Sequence, residues 1–289
     1  MSVVAPALDR FGTRTPRAMP GLTLTLGFTL TYLSLIVLIP LAALLLRAAG
    51  LGLEGWWKVL SSERVLHALA LSFGGALVAA LINAVFGTLI AWTFVRYDFP
   101  GRRLLSGMVD LPFALPTAVA GIALTALYAP DGWLGAPLNA LGFKVAYTQF
   151  GVILAMTFIS LPFVVRTLEP VLAEADRQYE EAAATLGATR WQAIVRIIFP
   201  ALLPAMLTGV TLAFARAVGE YGSIIFIAGN LPGVSEIAPL LIMIRLEEFD
   251  YSGATAIAVT MLALSFVLLF GINLLQSWSR RWDSKGVAA

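Results

Sequence analysis

The chain of 289 residues is 59% hydrophobic and 12% charged, whereas soluble domains are about 45–50% apolar and about 25% charged, so a soluble globular fold is excluded. A net charge of +2, with no basic cluster interleaved with aromatics, leaves no footprint for nucleic acid. The lack of cysteine rules out disulfides and thiolate metal sites.

Residues 1–21 form a polar tail carrying Arg10, Arg14 and Arg17. The apolar run Leu22 to Leu46 can cross a hydrocarbon core, which takes roughly 20 residues of helix. It is also longer than the roughly 7–15 residues of a signal-peptide core, so it reads as a retained span. Leu53, Trp56, Trp57, Val59 and Leu60 then alternate with Glu54, Lys58, Ser61 and Glu63, the pattern of a short helix at headgroup depth. Leu69 to Val95 is the second span and Leu104 to Ala129 the third. Pro112 and Pro116 each remove a backbone donor and obstruct the carbonyl four residues earlier, which predicts a break or kink in the third span. Broken helices persist in membranes where they line a cavity or pack on protein. A path-lining bend, with Thr117 offering its hydroxyl to an anion, and a packing kink, with Gly121 at a close helix contact, both fit. Pro130 to Ala146 is rich in turn residues, and Tyr147 to Val165 is the fourth span.

A polar interruption runs from Glu169 to Pro200. Asp176 is placed to cap a first short helix, Glu180 and Glu181 suit its positive end, and Ala182 to Ala184 favour its continuation. Gly187 stops it by taking the left-handed conformation, and Thr189 with Gln192 forms a capping box for a second helix that runs to Phe199 and closes at Pro200. Trp191, Ile194, Val195 and Ile198 are expected to turn an apolar face to the membrane domain. The fifth span, Leu202 to Ala228, carries Arg216 and Glu220, four residues apart on one helical face and able to pair. An intramembrane charge costs about 2.5–3.5 kcal/mol on insertion scales. The pair is therefore either part of a path, with Arg216 attracting a dianion, or a structural lock or gate. Asn230 to Tyr251 is a charged outer loop, either solvated or meeting a soluble partner, and Ser252 to Leu275 is the sixth span.

Thirteen of the 19 Lys and Arg residues fall in the two tails and the second and fourth loops, against five on the opposite side, which predicts cytoplasmic termini. The expected architecture is all-α: a polytopic domain of six transmembrane helices over residues 22–277, between cytoplasmic tails 1–21 and 278–289 and surrounded by membrane lipid. The single His67 has no neighbouring ligand set for a metal, and no Gly-x-x-x-x-Gly-Lys-Ser/Thr phosphate loop occurs.

Glu181, Ala182, Ala183, Gly187, Ile197 and Pro200 resemble, by type and spacing, the signature loop of bacterial ABC importer permeases, with Phe199 standing where that pattern has leucine. The resemblance implies a type I permease fold and a non-catalytic subunit whose loop 169–200 inserts a coupling helix into an ATP-binding subunit. ATP and Mg would then sit on that partner ATPase, with no cofactor on this chain. Asp110 to Gly121, Gly219 to Ser223 and Phe226 to Asn230 are similar to the sulfate and molybdate permeases. Ser160 to Leu172 and Arg245 to Tyr251 look most like the sulfate/thiosulfate permease subunit of the CysT type. That likeness implies import of sulfate or thiosulfate across the bacterial cytoplasmic (inner) membrane by two different permease chains, an ATPase dimer and a periplasmic sulfate-binding protein. The candidate path residues are Pro112, Pro116, Thr117, Arg216 and Glu220. One alternative is a homodimeric molybdate or tungstate permease. Another is an ion-coupled secondary anion transporter, whose inverted repeats and midplane ion ligands are not visible in the sequence. A structural or assembly membrane protein is the third.

Overall fold

The computed structural model describes residues 22–175, 181–183 and 185–286, which fall in two compact units divided between Leu46 and Arg47. In the first unit, α1 (Leu22–Leu33) passes through a π-helical turn, Ser34–Leu38, into α2 (Ile39–Ala49), whose end belongs to the second unit. The Ile39 N–H closes the π turn on the Ser34 carbonyl, one residue before Pro40. A turn of this width gives a proline ring space that an α-helical turn denies. Leu24, Phe28, Ile36 and Leu46 are exposed around this helix, as suits a surface made for lipid.

The second unit continues with α3 (Gly52–Leu60), α4 (Glu63–Arg96), α5 (Arg102–Val109), α6 (Leu111–Ala114), α7 (Thr117–Tyr128), α8 (Gly135–Ala140) and α9 (Gln149–Glu174). After the polar loop come α10 (Arg190–Ala193), a second π turn (Ile194–Ile198), α11 (Phe199–Val218), α12 (Ile224–Ala228), α13 (Ala238–Glu247) and α14 (Tyr251–Gly286). No strand occurs among the described residues. Among the described residues, five helices are long and apolar enough to cross a membrane: Leu24–Ala49, Glu63–Arg96, Gln149–Glu174, Arg190–Val218 and Tyr251–Leu274.

The segment expected as the third span is three short helices, and its two prolines act differently. Pro112 sits in the first turn of α6, where no backbone donor is needed. Pro116 makes the break: Leu115 before it is extended, at φ −82° and ψ 137°, because the proline ring disfavours the helical region for its predecessor. The fifth span also differs from expectation. Its helix stops at Val218, with Gly219 as its cap, and α12 restarts only at Ile224. At its other end Pro200 does not close a helix, because the helix is continuous from Arg190 to Val218. The Phe199 N–H reaches the Ile194 carbonyl across the second π turn, and Pro200 enters the widened coil just as Pro40 does.

The core is a bundle of α4, α9 and α11. Buried Ala68, Ser72, Ala76, Ala79, Asn83, Gly87 and Ala91 form a stripe of mostly small side chains on α4, which permits close helix approach. A Cβ on Gly87 would lie 2.9 Å from Val164 Cγ1, and one on Gly209 would lie 3.1 Å from Val164 Cα, so α4 and α11 both close on the same residue of α9. Across this contact the Asn83 amide donates to the Thr157 carbonyl at 3.0 Å and to Ser160 Oγ at 2.9 Å. The charged outer loop is not a solvated face throughout. It folds into α13, which buries Ala238, Leu240 and Leu241. Its Glu236 is buried in a two-pronged pair with Arg64, at 2.8 and 2.6 Å.

Candidate functional site

The polar loop forms a hairpin of two helical segments. Asp176 and Glu180, expected at the start of the first, lie outside the described residues. Glu181, Ala182 and Ala183 are helical, the first two exposed and Ala183 buried. Gly187 has φ +82°, a left-handed conformation that costs a β-carbon-bearing residue energy. The Ala188 N–H beyond it donates to the Ala183 carbonyl at 3.0 Å, which ends the segment in a Schellman arrangement. The capping box follows: the Gln192 N–H donates to Thr189 Oγ1 at 3.3 Å, and the Thr189 N–H donates to Gln192 Oε1 at 2.8 Å.

The apolar face of the second segment is rotated from the expected one. Ala193 and Ile198 are buried and Ile194 and Ile197 half-buried, whereas Trp191 and Val195 point outward. Trp191 is 72% exposed and Leu186 87%, and Pro200, farther along the helix, is also exposed. The tight turn therefore carries two large apolar side chains with nothing among the described residues over them.

A second constellation joins two motifs about a hundred residues apart in sequence. The start of α7 packs on the Gly219–Ser223 hinge between α11 and α12. A Cβ on Gly121 would run into the Ser223 backbone, so that glycine is required by the closeness of the two backbones, whereas one on Gly222 would collide with the Thr117 side chain. Glu220 lies in this hinge, 2% exposed. Its carboxylate accepts from Arg216 Nη1 at 2.5 Å and from both the N–H and the hydroxyl of Ser223 at 2.9 Å. Arg216 and Glu220 pair as their spacing predicts, but not along one helical face, because the helix ends between them. Arg216 stands in the last turn of α11, where the helix dipole favours a cation. Its side chain keeps 32% exposure. Pro112 is buried, Pro116 exposed and Thr117 half-buried at the hinge.

The sequence reading missed a third group. Arg166 of α9 donates through Nε and Nη2 to the two oxygens of Asp110, at 2.8 and 2.6 Å, and through Nη1 to Glu169 at 2.5 Å. Nη2 also reaches the Ser106 carbonyl at 2.8 Å and Ser106 Oγ at 3.0 Å. One guanidinium thus ties the end of α9, which leads into the hairpin, to the α5–α6 junction that begins the broken segment. Asp110 was the signal: a carboxylate inside the expected third span, with no partner assigned to it.

Residues 83–281 match the family described as the inner membrane component of binding-protein-dependent transport systems. The chain is 49% identical over 267 residues to the sulfate transport system permease protein CysT of Escherichia coli K12, covering 92% of this chain and 96% of that protein. It is 51% identical over 254 residues to the protein of the same name from Synechocystis, covering 88% and 89%. Among solved structures, the crystal structure of a bacterial alginate ABC transporter in complex with its pentasaccharide-bound periplasmic protein shares the fold. There the TM-score is 0.74 at 18% identity, over 88% of this chain and 93% of that one. Five long apolar helices, this fold and a family match spanning most of the sequence make it a multi-pass membrane protein. The chain belongs to the inner membrane components of binding-protein-dependent transport systems, the permease subunits of ABC importers.

Proposed function

We propose that this chain is one of two permease subunits of an importer that moves sulfate or thiosulfate across the bacterial cytoplasmic membrane. Its relatives of about half identity carry sulfate permease names over nearly their whole lengths. In this reading both termini are cytoplasmic, and the broken segment α5–α7 supplies a sixth crossing of the membrane domain 22–277. A second, similar permease chain completes the path. A periplasmic binding protein delivers the anion, and a dimer of ATP-binding subunits holds ATP and Mg and performs the hydrolysis.

The observation that carries the energy-coupling part is the hairpin. Its left-handed turn at Gly187 presents Leu186 and Trp191 outward, a compact apolar tip suited to a groove on another protein. Glu181, Ala182, Ala183, Gly187, Ile197 and Pro200 are assigned to this docking element. Closure of the ATPase dimer would move the hairpin, and α9 would carry that movement through Arg166 to the broken segment. Access changes only if ATP binding favours one conformation over the other. Thr117 and Arg216 line the path beside the α7–hinge contact, with Pro112 and Pro116 shaping its bend. Glu220 holds Arg216 in place.

Reconstitution tests the reading. Vesicles containing this chain, the second permease and the ATP-binding subunit should accumulate labelled sulfate from the binding protein only when supplied with ATP. Uptake by this chain alone would defeat the importer assignment. Activity with two copies of it would replace the heterodimer by a homodimer.

A further inference from the structure

Two adjoining cavities at the α4–α5 corner differ sharply in character. The first, of about 740 Å³, is lined by Asp98, Phe99, Gly101, Arg102, Arg103 and Ser106. Arg102 pairs with exposed Asp98 at 2.7 Å, and Arg103 is exposed with no acidic partner among the described residues. The lining thus holds two cations against one carboxylate. The second cavity, of about 430 Å³, is an open apolar slot whose walls include Phe86, Leu89 and Ile90 of α4 and Met108 and Val109 of α5. Phe99 lines both, so the polar cavity and the slot meet at its ring. From Phe86 to Phe94 the slot follows α4 for roughly 12 Å at about 1.5 Å per residue. That fits within one leaflet, about half of a hydrocarbon core roughly 30 Å thick.

We propose that this corner holds one anionic phospholipid, its phosphodiester against Arg103 and Arg102 and an acyl chain between α4 and α5. The lining's single excess positive charge matches one phosphodiester. The change from charged mouth to apolar slot along the helix axis matches the order of chemistry in a lipid entering from the membrane surface. The inference rests on the chain being membrane-embedded and not on which anion it transports, so it stands or falls separately from the uptake experiment.

Native mass spectrometry of the purified transporter complex tests it, by titrating dioleoyl-phosphatidylglycerol against dioleoyl-phosphatidylcholine and reading the fraction of complex that retains one lipid. Phosphatidylglycerol should be held the more tightly. Arg103→Gln should weaken its retention about fivefold, the weight of one arginine at an anionic surface, while Lys144→Gln, removing an exposed cation elsewhere, should not. Val109→Trp should lower retention of both lipids by filling the slot. Because Arg103 is exposed, its variant tests the proposal even if Val109→Trp fails to fold. Equal retention of the two lipids, or an Arg103→Gln complex that behaves as the parent, would overturn the proposal. So would displacement of the lipid by inorganic sulfate or phosphate, or a crosslink from a photoreactive maleimide on Met108→Cys to the second permease chain across a covered slot.

Discussion

Glu220 accepts three hydrogen bonds while almost wholly buried, and this explains how a carboxylate is tolerated inside a membrane domain. Bonds of this kind aim the carboxylate at its own chain. Removing one partner of a buried pair costs about 3–5 kcal/mol because the remaining charge is stranded, and Arg216, with 32% exposure, belongs at the lower end. Glu220→Gln and Arg216→Gln should each lower the thermal stability of the purified complex, and the double substitution should cost less than the two singles added. Strict additivity in that cycle would show that the two side chains are independent. This pair was legible because four residues of spacing is a local signal. The Arg166–Asp110 pair was not, since 56 residues separate its members and Arg166 reads as an ordinary loop cation. Asp110 still declared the need for a partner by lying in an apolar run. What the sequence withheld was the partner's identity, which depends on where α9 ends.

Among the helices and turns, the prolines show how much a local rule can decide. Pro116 breaks the chain, Pro112 starts a helix, Pro162 and Pro170 sit inside α9, and Pro200 follows a π turn. An interior proline costs about 3 kcal/mol, which the burial of a few large apolar side chains offsets. Residue type therefore marks where a helix is weakened, and packing settles whether it ends. Gly187 is a cleaner case, because its left-handed φ and the capping box after it follow from short-range geometry alone. The face of the next segment is rotated because small Ala193 packs inward while the larger Trp191 and Val195 point out, an inversion that side-chain size alone does not announce. Gly187→Val should impose a penalty of about 1–2 kcal/mol on the turn, reducing ATP-dependent uptake while the protein still reaches the membrane at normal abundance. Full uptake at normal abundance would show that the turn's conformation does not matter to coupling.

The whole molecule distributes its basic residues unequally, and this makes its orientation testable. The chain has no cysteine of its own. A single cysteine at Thr189 should react with an impermeant maleimide only from the cytoplasmic side, and one at Asn139 only from outside. Thr189 labelled from outside in intact cells would invert the topology. The five long helices were legible from apolar run length, whereas the division of a further run into α5, α6 and α7 depended on Asp110 and on extended Leu115 before Pro116. The π turn at Ile194–Ile198 has a wider consequence, because it sets an angular phase. It holds one residue more than an α-helical turn would, and an α-helix rotates by about 100° per residue. The span and the hairpin are therefore keyed to each other like two parts on one shaft, and the surplus residue is the key. Deleting Val195 should return the segment to ordinary helix, bring Pro200 against an α-helical carbonyl, and swing Leu186 and Trp191 about 100° around the axis. The variant should enter the membrane yet fail to copurify with the ATP-binding subunit. If it still binds that subunit normally, the hairpin's hold does not depend on its angle to the span.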